Sequence, residues 1–355
     1  MRNTPEKILI IQTAFLGDLI LSLPMIDVLK QNLPGVKIDI LCIPFTSGII
    51  KNDKRINEII IYDKRGKDKG VSGFQRIVKK LKENKYDVII SPHRSFRSAL
   101  MSFLSQCKIT ISFDTSAGAF LYKYKVKYRT ELHEIKRDLA LLEPLFKYYS
   151  INYKPEEKII LPEIFTSVED KLKIDNLFSE YKIQESNFKL VIAPGTVWNT
   201  KQYPKEYFVQ MCKSLSSEAL KIFLTGGIND VELSDFIKNN SENPNIVDVT
   251  GKLTLTESTE LIKRCNLLIT NDSAPLHIGS SQKVRTFAIF GATVPEFGFY
   301  PLGESDKVYE TKGLSCRPCS IHGSNKCPIG TFVCMKNIDP LRISAEIVLA
   351  KNSKS

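Results

Sequence analysis

Five stretches set acids, a lysine, a histidine or arginines where an apolar run gives way to a helical one. In AFLGDLILSLPMIDVL (14–29), Asp18 follows Gly17 between the strand-like KILII (7–11) and a run with helical spacing. A carboxylate there repels phosphate, and one glycine does not make a G-x-G-x-x-G cradle. A helix cap is one reading of Asp18, since Asp is a favoured N-cap. In VIAPGTVWNTKQYPKEYF (191–208), Gly195 lets the backbone approach a ligand and Thr196 offers a hydroxyl and an amide. Lys201 adds a point charge, so the set could clamp a pyrophosphate. The alternative is an ordinary loop with a solvated lysine, and the Walker A spacing is absent.

IFLTGGINDVELSDFI (222–237) ends a strand in Gly226-Gly227, with Asp230 opening the next helix. Either the helix dipole explains that acid or it accepts ribose hydroxyls; both readings stay open. LLITNDSAPLHIGSS (267–281) makes Asp272 or Ser273 the N-cap of a helix whose free N–H groups suit a diphosphate without a metal. His277, one turn in, could bond a phosphate or the cap. In SPHRSFRSAL (91–100), Arg94 and Arg97 are spaced i, i+3 beside His93. On a helix they share a face and could grip carboxylates or phosphates; a solvated surface is the alternative. Cys316, Cys319, Cys327 and Cys334 are spaced C-x2-C-x7-C-x6-C. Zinc is one reading, but the second pair lacks the compact C-x2-C, and a packed thiol cluster is preferred. Cys42, Cys107, Cys212 and Cys265 sit in apolar runs as core residues.

Stepping strands alternate with helices to position these stretches. Strands are expected near 7–12, 37–42, 58–62, 86–91 and 108–113, then 189–193, 220–225, 246–248, 267–271 and 286–290. Helices are expected near 18–31, 73–84, 97–105 and 132–148, then 167–181, 204–216, 230–239, 255–265, 273–281 and 340–351. The alternation predicts an α/β protein with two doubly wound domains, 1–165 and 166–355, facing a central cleft with ligands at the carboxyl ends of the strands. The polar connection NYKPEEKIILPE (152–163) separates them, and the last helix could return to either domain. A length of 355 residues suits two cores.

Residues 1–150 carry 26 Lys and Arg against 15 Asp and Glu, an excess of 11 that equals the net charge of the whole chain. The first domain is therefore expected to meet something anionic. Nucleic acid is disfavoured, because aromatics do not interleave with the basic clusters; KRGKDKG (64–70) and KKLKENK (79–85) read as a loop and an exposed helix face. No apolar run is long enough to span a bilayer and MRNTPEK lacks a signal-peptide pattern, so a cytoplasmic protein is expected.

Taken together, KILIIQTAFLGDLILSLP, the PGT…KQYP loop, GG-x-x-D, NDSAPLH and the late C-x-P-C…C-M segment resemble glycosyltransferase family 9, the ADP-heptose:lipopolysaccharide heptosyltransferases, over nearly the whole chain. The resemblance implies a GT-B fold of two Rossmann-like domains, the C-terminal one holding the donor. It implies that Thr196 and Lys201 contact the ADP-heptose diphosphate, that Asp272, Ser273 and His277 stand at the donor-binding helix terminus, and that Asp230 is a ribose ligand. Gly195 belongs to the same loop, and Asp18 matches the acid acting as general base. It also implies an anionic Kdo–lipid A acceptor, for which Arg94 and Arg97 are the candidate ligands, at the cytoplasmic face of the inner membrane, with peripheral contact there. Tyr203 stands where Trp is frequent, and Ala274 where Gly is common. No D-x-D motif occurs, so nothing suggests a metal-bound donor phosphate; the expectation, which the resemblance also implies, is an inverting, metal-independent displacement with no cofactor. The alternatives are a same-fold transferase with another nucleotide sugar or acceptor, and a non-catalytic two-lobed nucleotide- or glycan-binding protein.

Overall fold

The computed structural model describes residues 4–154, 158–217 and 219–352. Residues 155–157 of the expected connection, and the first three residues of MRNTPEK, lie outside that set. The chain divides into two compact units, Met1–Phe165 and Thr166–Ser355.

The first unit holds β1 (Lys7–Ile11), β2 (Lys37–Cys42), β3 (Glu58–Ile61), β4 (Val88–Ser91), β5 (Ile109–Phe113) and β6 (Tyr124–Val126). They form one sheet in the order β3-β2-β1-β4-β5-β6, each neighbouring pair parallel. Ile8 of β1 lies beside Ile38 on one side and Val88 on the other. These β-branched residues are wholly buried, as a strand covered on both faces requires.

The second unit repeats the plan with β7 (Phe188–Ala193), β8 (Leu220–Leu224), β9 (Ile246–Asp248), β10 (Leu267–Asn271), β11 (Thr286–Phe290) and β12 (Lys307–Glu310). Its order, read from the opposite edge, is β9-β8-β7-β10-β11-β12. In both sheets the order reverses beside the first strand, between β1 and β4 and between β7 and β10. Loops leaving the carboxyl ends of those strands diverge and leave room for a ligand.

Several local expectations change. The helix expected over 18–31 is two, Leu16–Ser22 and Pro24–Asn32, because Pro24 has no N–H to continue the first. The helix expected over 132–148 is likewise split into Glu134–Ala140 and Glu143–Tyr148, with Pro144 in the first turn of the second. β6 and β12, both edge strands, were not expected. Helix Pro340–Asn352 packs on helix Lys205–Ser214, and Ile343, Ile347 and Ala350 join Phe208 and Met211 in the second core. It therefore belongs to the second unit. Among the described residues, no helix is long and apolar enough to cross a membrane.

Candidate functional site

In the first unit the polar groups gather where β1 and β4 end. Phe15 is the N-cap of helix Leu16–Ser22 and Asp18 is its third residue, not its cap. The Asp18 carboxylate accepts the Phe15 N–H at 3.1 Å, which fixes it back over the helix start. Asp18 is half-buried, and its pKa is raised to about 6. Burial is the main cause and the charge of Glu134 the next; the Phe15 amide and Arg94 act in the opposite sense.

Helix Glu134–Ala140 packs against the Asp18 helix and adds two carboxyls one turn apart. Glu134 accepts bonds from Arg137 at 2.7 Å and from the Tyr128 hydroxyl at 3.0 Å. Asp138 is 1% exposed, and neither carboxyl oxygen has a hydrogen-bond partner. Burial, then Glu134 and Asp18, raise its pKa well above its ordinary value. Sequence reading missed both, because HEIKRD has the spacing of any amphipathic helix.

Arg94 and Arg97, expected to share a face if both were helical, do not. Ser95 caps the helix, its Oγ accepting the Ser98 N–H at 3.2 Å, so Arg94 lies before the first turn. Arg94 stacks on Tyr128, 4.0 Å from the ring centre, toward the β6 edge. Arg97 donates to the Tyr62 hydroxyl at 3.1 Å, at the end of β3 on the opposite edge. A bidentate grip by the pair is therefore not built here; each arginine presents its own charge. His93 pairs with the Thr13 hydroxyl at 2.8 Å, and burial, with Lys64 and Arg94, lowers its pKa to about 4, so it is neutral. Lys64 donates to the Thr13 carbonyl at 3.1 Å, which brings the KRGKDKG loop to the turn before Asp18.

In the second unit the switch point is tied by Asn271, a residue the sequence reading passed over. Fully buried, it accepts the Tyr203 N–H at 3.0 Å and donates to the Pro194 carbonyl at 2.8 Å. The loops after β7 and β10 are thereby locked together, and Tyr203 donates its hydroxyl to the Ile338 carbonyl at 2.6 Å. Lys201 ends a short 3-10 turn, Asn199–Lys201, and its ammonium stands 2.7 Å from Asp272 Oδ2. The same oxygen accepts the Thr293 hydroxyl at 2.5 Å. Asp272 is thus the lysine's counter-charge and not a helix cap.

Ser273 occupies the N-cap position of helix Ala274–Ser281, but its hydroxyl does not cap; it faces Thr270 Oγ1 at 3.3 Å. His277 is buried in the first turns, its ring 6.3 Å from that of Phe299. Asp230 accepts the Gly227 N–H at 2.8 Å, and burial raises its pKa. A Cβ on Gly195 would stand 2.1 Å from Asp230 Oδ1, so only glycine lets this carboxylate lie against the loop. Thr196 is half-buried, its hydroxyl 3.4 Å from the Trp198 N–H.

The four late cysteines are free thiols; burial first, then Cys316 and Cys327, raise the pKa of Cys319. Among the described residues no group of three or more His, Cys, Asp or Glu is arranged to hold a metal ion.

Two Rossmann-like units, each with ionisable groups at the strand-order reversal, have the plan of the GT-B fold. The sequence model of glycosyltransferase family 9 (heptosyltransferase) matches residues 74–328, and the chain belongs to that family. It is 26% identical over 293 residues to lipopolysaccharide heptosyltransferase 3 of Escherichia coli, covering 79% of this chain and 82% of that one. It is 25% identical to lipooligosaccharide heptosyltransferase 2 of Campylobacter jejuni, covering 98% and 99%. The structure of E. coli ADP-heptose lipopolysaccharide heptosyltransferase II shares the fold with a TM-score of 0.77 at 19% identity, covering 98% of this chain and 99% of that one.

Proposed function

We propose that the protein transfers a heptose from ADP-heptose to the inner core of lipopolysaccharide, with inversion and without a metal. Family membership and the names of the relatives support the substrates. Asp18, a half-buried carboxyl with a pKa of about 6 at the end of β1, carries the mechanism. At neutral pH it is ionised, yet basic enough to take a proton from a hydroxyl as that oxygen bonds the anomeric carbon. The bond from that carbon to the diphosphate breaks, and ADP leaves with the electron pair. Lys201, with the Thr196 hydroxyl and backbone N–H groups near Ser273, balances the charge growing on the diphosphate. Asp272 keeps the ammonium in place, Gly195 admits the backbone close to the donor, Asp230 accepts ribose hydroxyls, and His277 supports the helix start. Arg94 and Arg97 attract the anionic acceptor separately, one on each side of Asp18.

Asp18→Asn tests the central role. Donor binding is expected to stay within about twofold while kcat falls about 10²–10⁴-fold. Transfer at a near wild-type rate would sink the general-base role. In the same assay EDTA is expected to leave the wild-type rate unchanged; a loss restored by added Mg²⁺ would overturn the metal-free mechanism. Turnover with a UDP-sugar but not with ADP-heptose would overturn the donor.

A further inference from the structure

Sugar transfer as described gives the cysteine-bearing segment no task, yet that segment reaches both partners of the Lys201–Asp272 pair. From Arg317, Nε donates to the Gly291 carbonyl at 2.6 Å and Nη2 to the Thr293 carbonyl at 2.7 Å. Its side chain is 6% exposed and also paired with Glu310 at 2.8 Å. The Thr293 it holds is the residue whose hydroxyl bonds Asp272 Oδ2.

Six to eight residues on, the same segment lies along the Lys201 turn. The Thr200 N–H donates to the Ser324 carbonyl at 2.9 Å, and the Ser324 N–H donates to Thr200 Oγ1 at 2.8 Å. Asn199 Nδ2 donates to the Asn325 carbonyl at 3.2 Å. Gly323, at φ +86°, has no side chain because there is no room for one. A Cβ there would stand 2.9 Å from both Cγ and Cδ of Lys201 and 3.0 Å from Cβ of Trp198. The backbone of Gly323 thus walls the flexible stem of the lysine on the side where a side chain would push it.

We propose that residues 317–325 are a positioning element for the donor site, holding the Lys201 stem and its Asp272 partner at a fixed spacing for the diphosphate. Lysine is a point charge on a four-carbon stem and presents no fixed geometry by itself. Bracing the stem supplies the geometry, and the bonds from Arg317 to the Gly291 and Thr293 carbonyls anchor the segment that does so. The inference rests on the reading of Lys201 as the diphosphate contact.

Gly323→Ala is the direct test, with Gly330→Ala as the matched control. Gly330 also has a left-handed backbone, at φ +73°, but nothing lies within 4 Å of its missing Cβ. Both variants carry the same backbone cost, and only the first displaces Lys201. Gly323→Ala is expected to raise the KM for ADP-heptose about tenfold, leaving the acceptor KM within about twofold. Gly330→Ala is expected to leave both constants alone. An unchanged donor KM in Gly323→Ala, or an equal rise in the control, overturns the inference. Lys201→Ala separates the two levels of failure. A raised donor KM there beside an unchanged one in Gly323→Ala overturns the positioning role alone; an unchanged donor KM in Lys201→Ala overturns the diphosphate reading, and this inference with it. Should Gly323→Ala not accumulate as folded protein, Thr200→Val removes only the Ser324-to-Thr200 bond. Its donor KM is expected to rise about threefold, and no rise would overturn the proposal.

Discussion

At the scale of single residues, three carboxyls share one neighbourhood and are set apart by their partners. Glu134 is matched by Arg137 and Tyr128. The Asp18 carboxyl has backbone N–H groups as its only partners, and the Asp138 carboxyl has no hydrogen-bond partner. Charges facing the trio come from Arg94 on the β4 loop and Arg137 on the second helix. As the base, Asp18 must be ionised, so kcat/KM is expected to rise about tenfold per pH unit below about 6 and level off above it. Glu134→Gln removes the charge that helps raise Asp18 and moves that limb to lower pH. Asp138 has a raised pKa, so Asp138→Asn is expected to move that limb less than Glu134→Gln does; an equal downward shift would show that Asp138 carries a comparable charge beside Asp18.

The same shift has a cost to the fold with a definite sign. A carboxyl whose folded pKa lies above its unfolded value of 3.8 favours folding at low pH, and that contribution is lost as pH rises from about 4 to about 6. Asp18 itself stood out in the sequence because it breaks an apolar run beside a glycine. Glu134 and Asp138 did not, since no spacing links them to a residue more than a hundred positions away.

At the scale of elements, the central strands were legible and the edges were not. β1, β4, β7 and β10 are continuous apolar runs because both faces are covered. By contrast, YKV of β6 and KVYE of β12 are short, partly exposed and mixed in polarity. Prolines 24 and 144 were visible as residues, yet helical spacing carried on across them and hid the breaks. Asn271 was hidden differently: in NDS it reads as one more turn residue, and only tertiary structure shows it joining two loops. Asn271→Leu leaves the Pro194 carbonyl and Tyr203 N–H without their partner. It is expected to lower stability by about 2 kcal/mol and to raise the donor KM, with thermal unfolding and kinetics as the measurements. An unchanged Tm would mean that the loops are held by other contacts.

At the scale of the molecule, charge and cores are distributed differently. Both units have the same six-strand plan, whereas the basic excess lies within residues 1–150. An anionic acceptor drawn by that field is sensitive to screening, whose length falls from about 10 Å at 0.1 M salt to about 3 Å at 1 M. Raising NaCl from 50 to 500 mM is expected to increase the acceptor KM about tenfold and the donor KM much less, because Lys201 is 14% exposed and paired. An acceptor KM that stays flat over this range would remove the electrostatic role of the first unit.

Helix Pro340–Asn352 lends the chain an order of assembly. Everything the first sheet needs has left the ribosome by about residue 165, so that unit can close while the rest is still being made. The second core lacks Ile343, Ile347 and Ala350 until the helix at 340–352 has emerged. The half that carries Asp18 has all its strands before the half that carries Lys201, whose helix Lys205–Ser214 keeps an apolar face uncovered until helix Pro340–Asn352 arrives. That interval is when a nascent chain would be most exposed to chaperones and to aggregation.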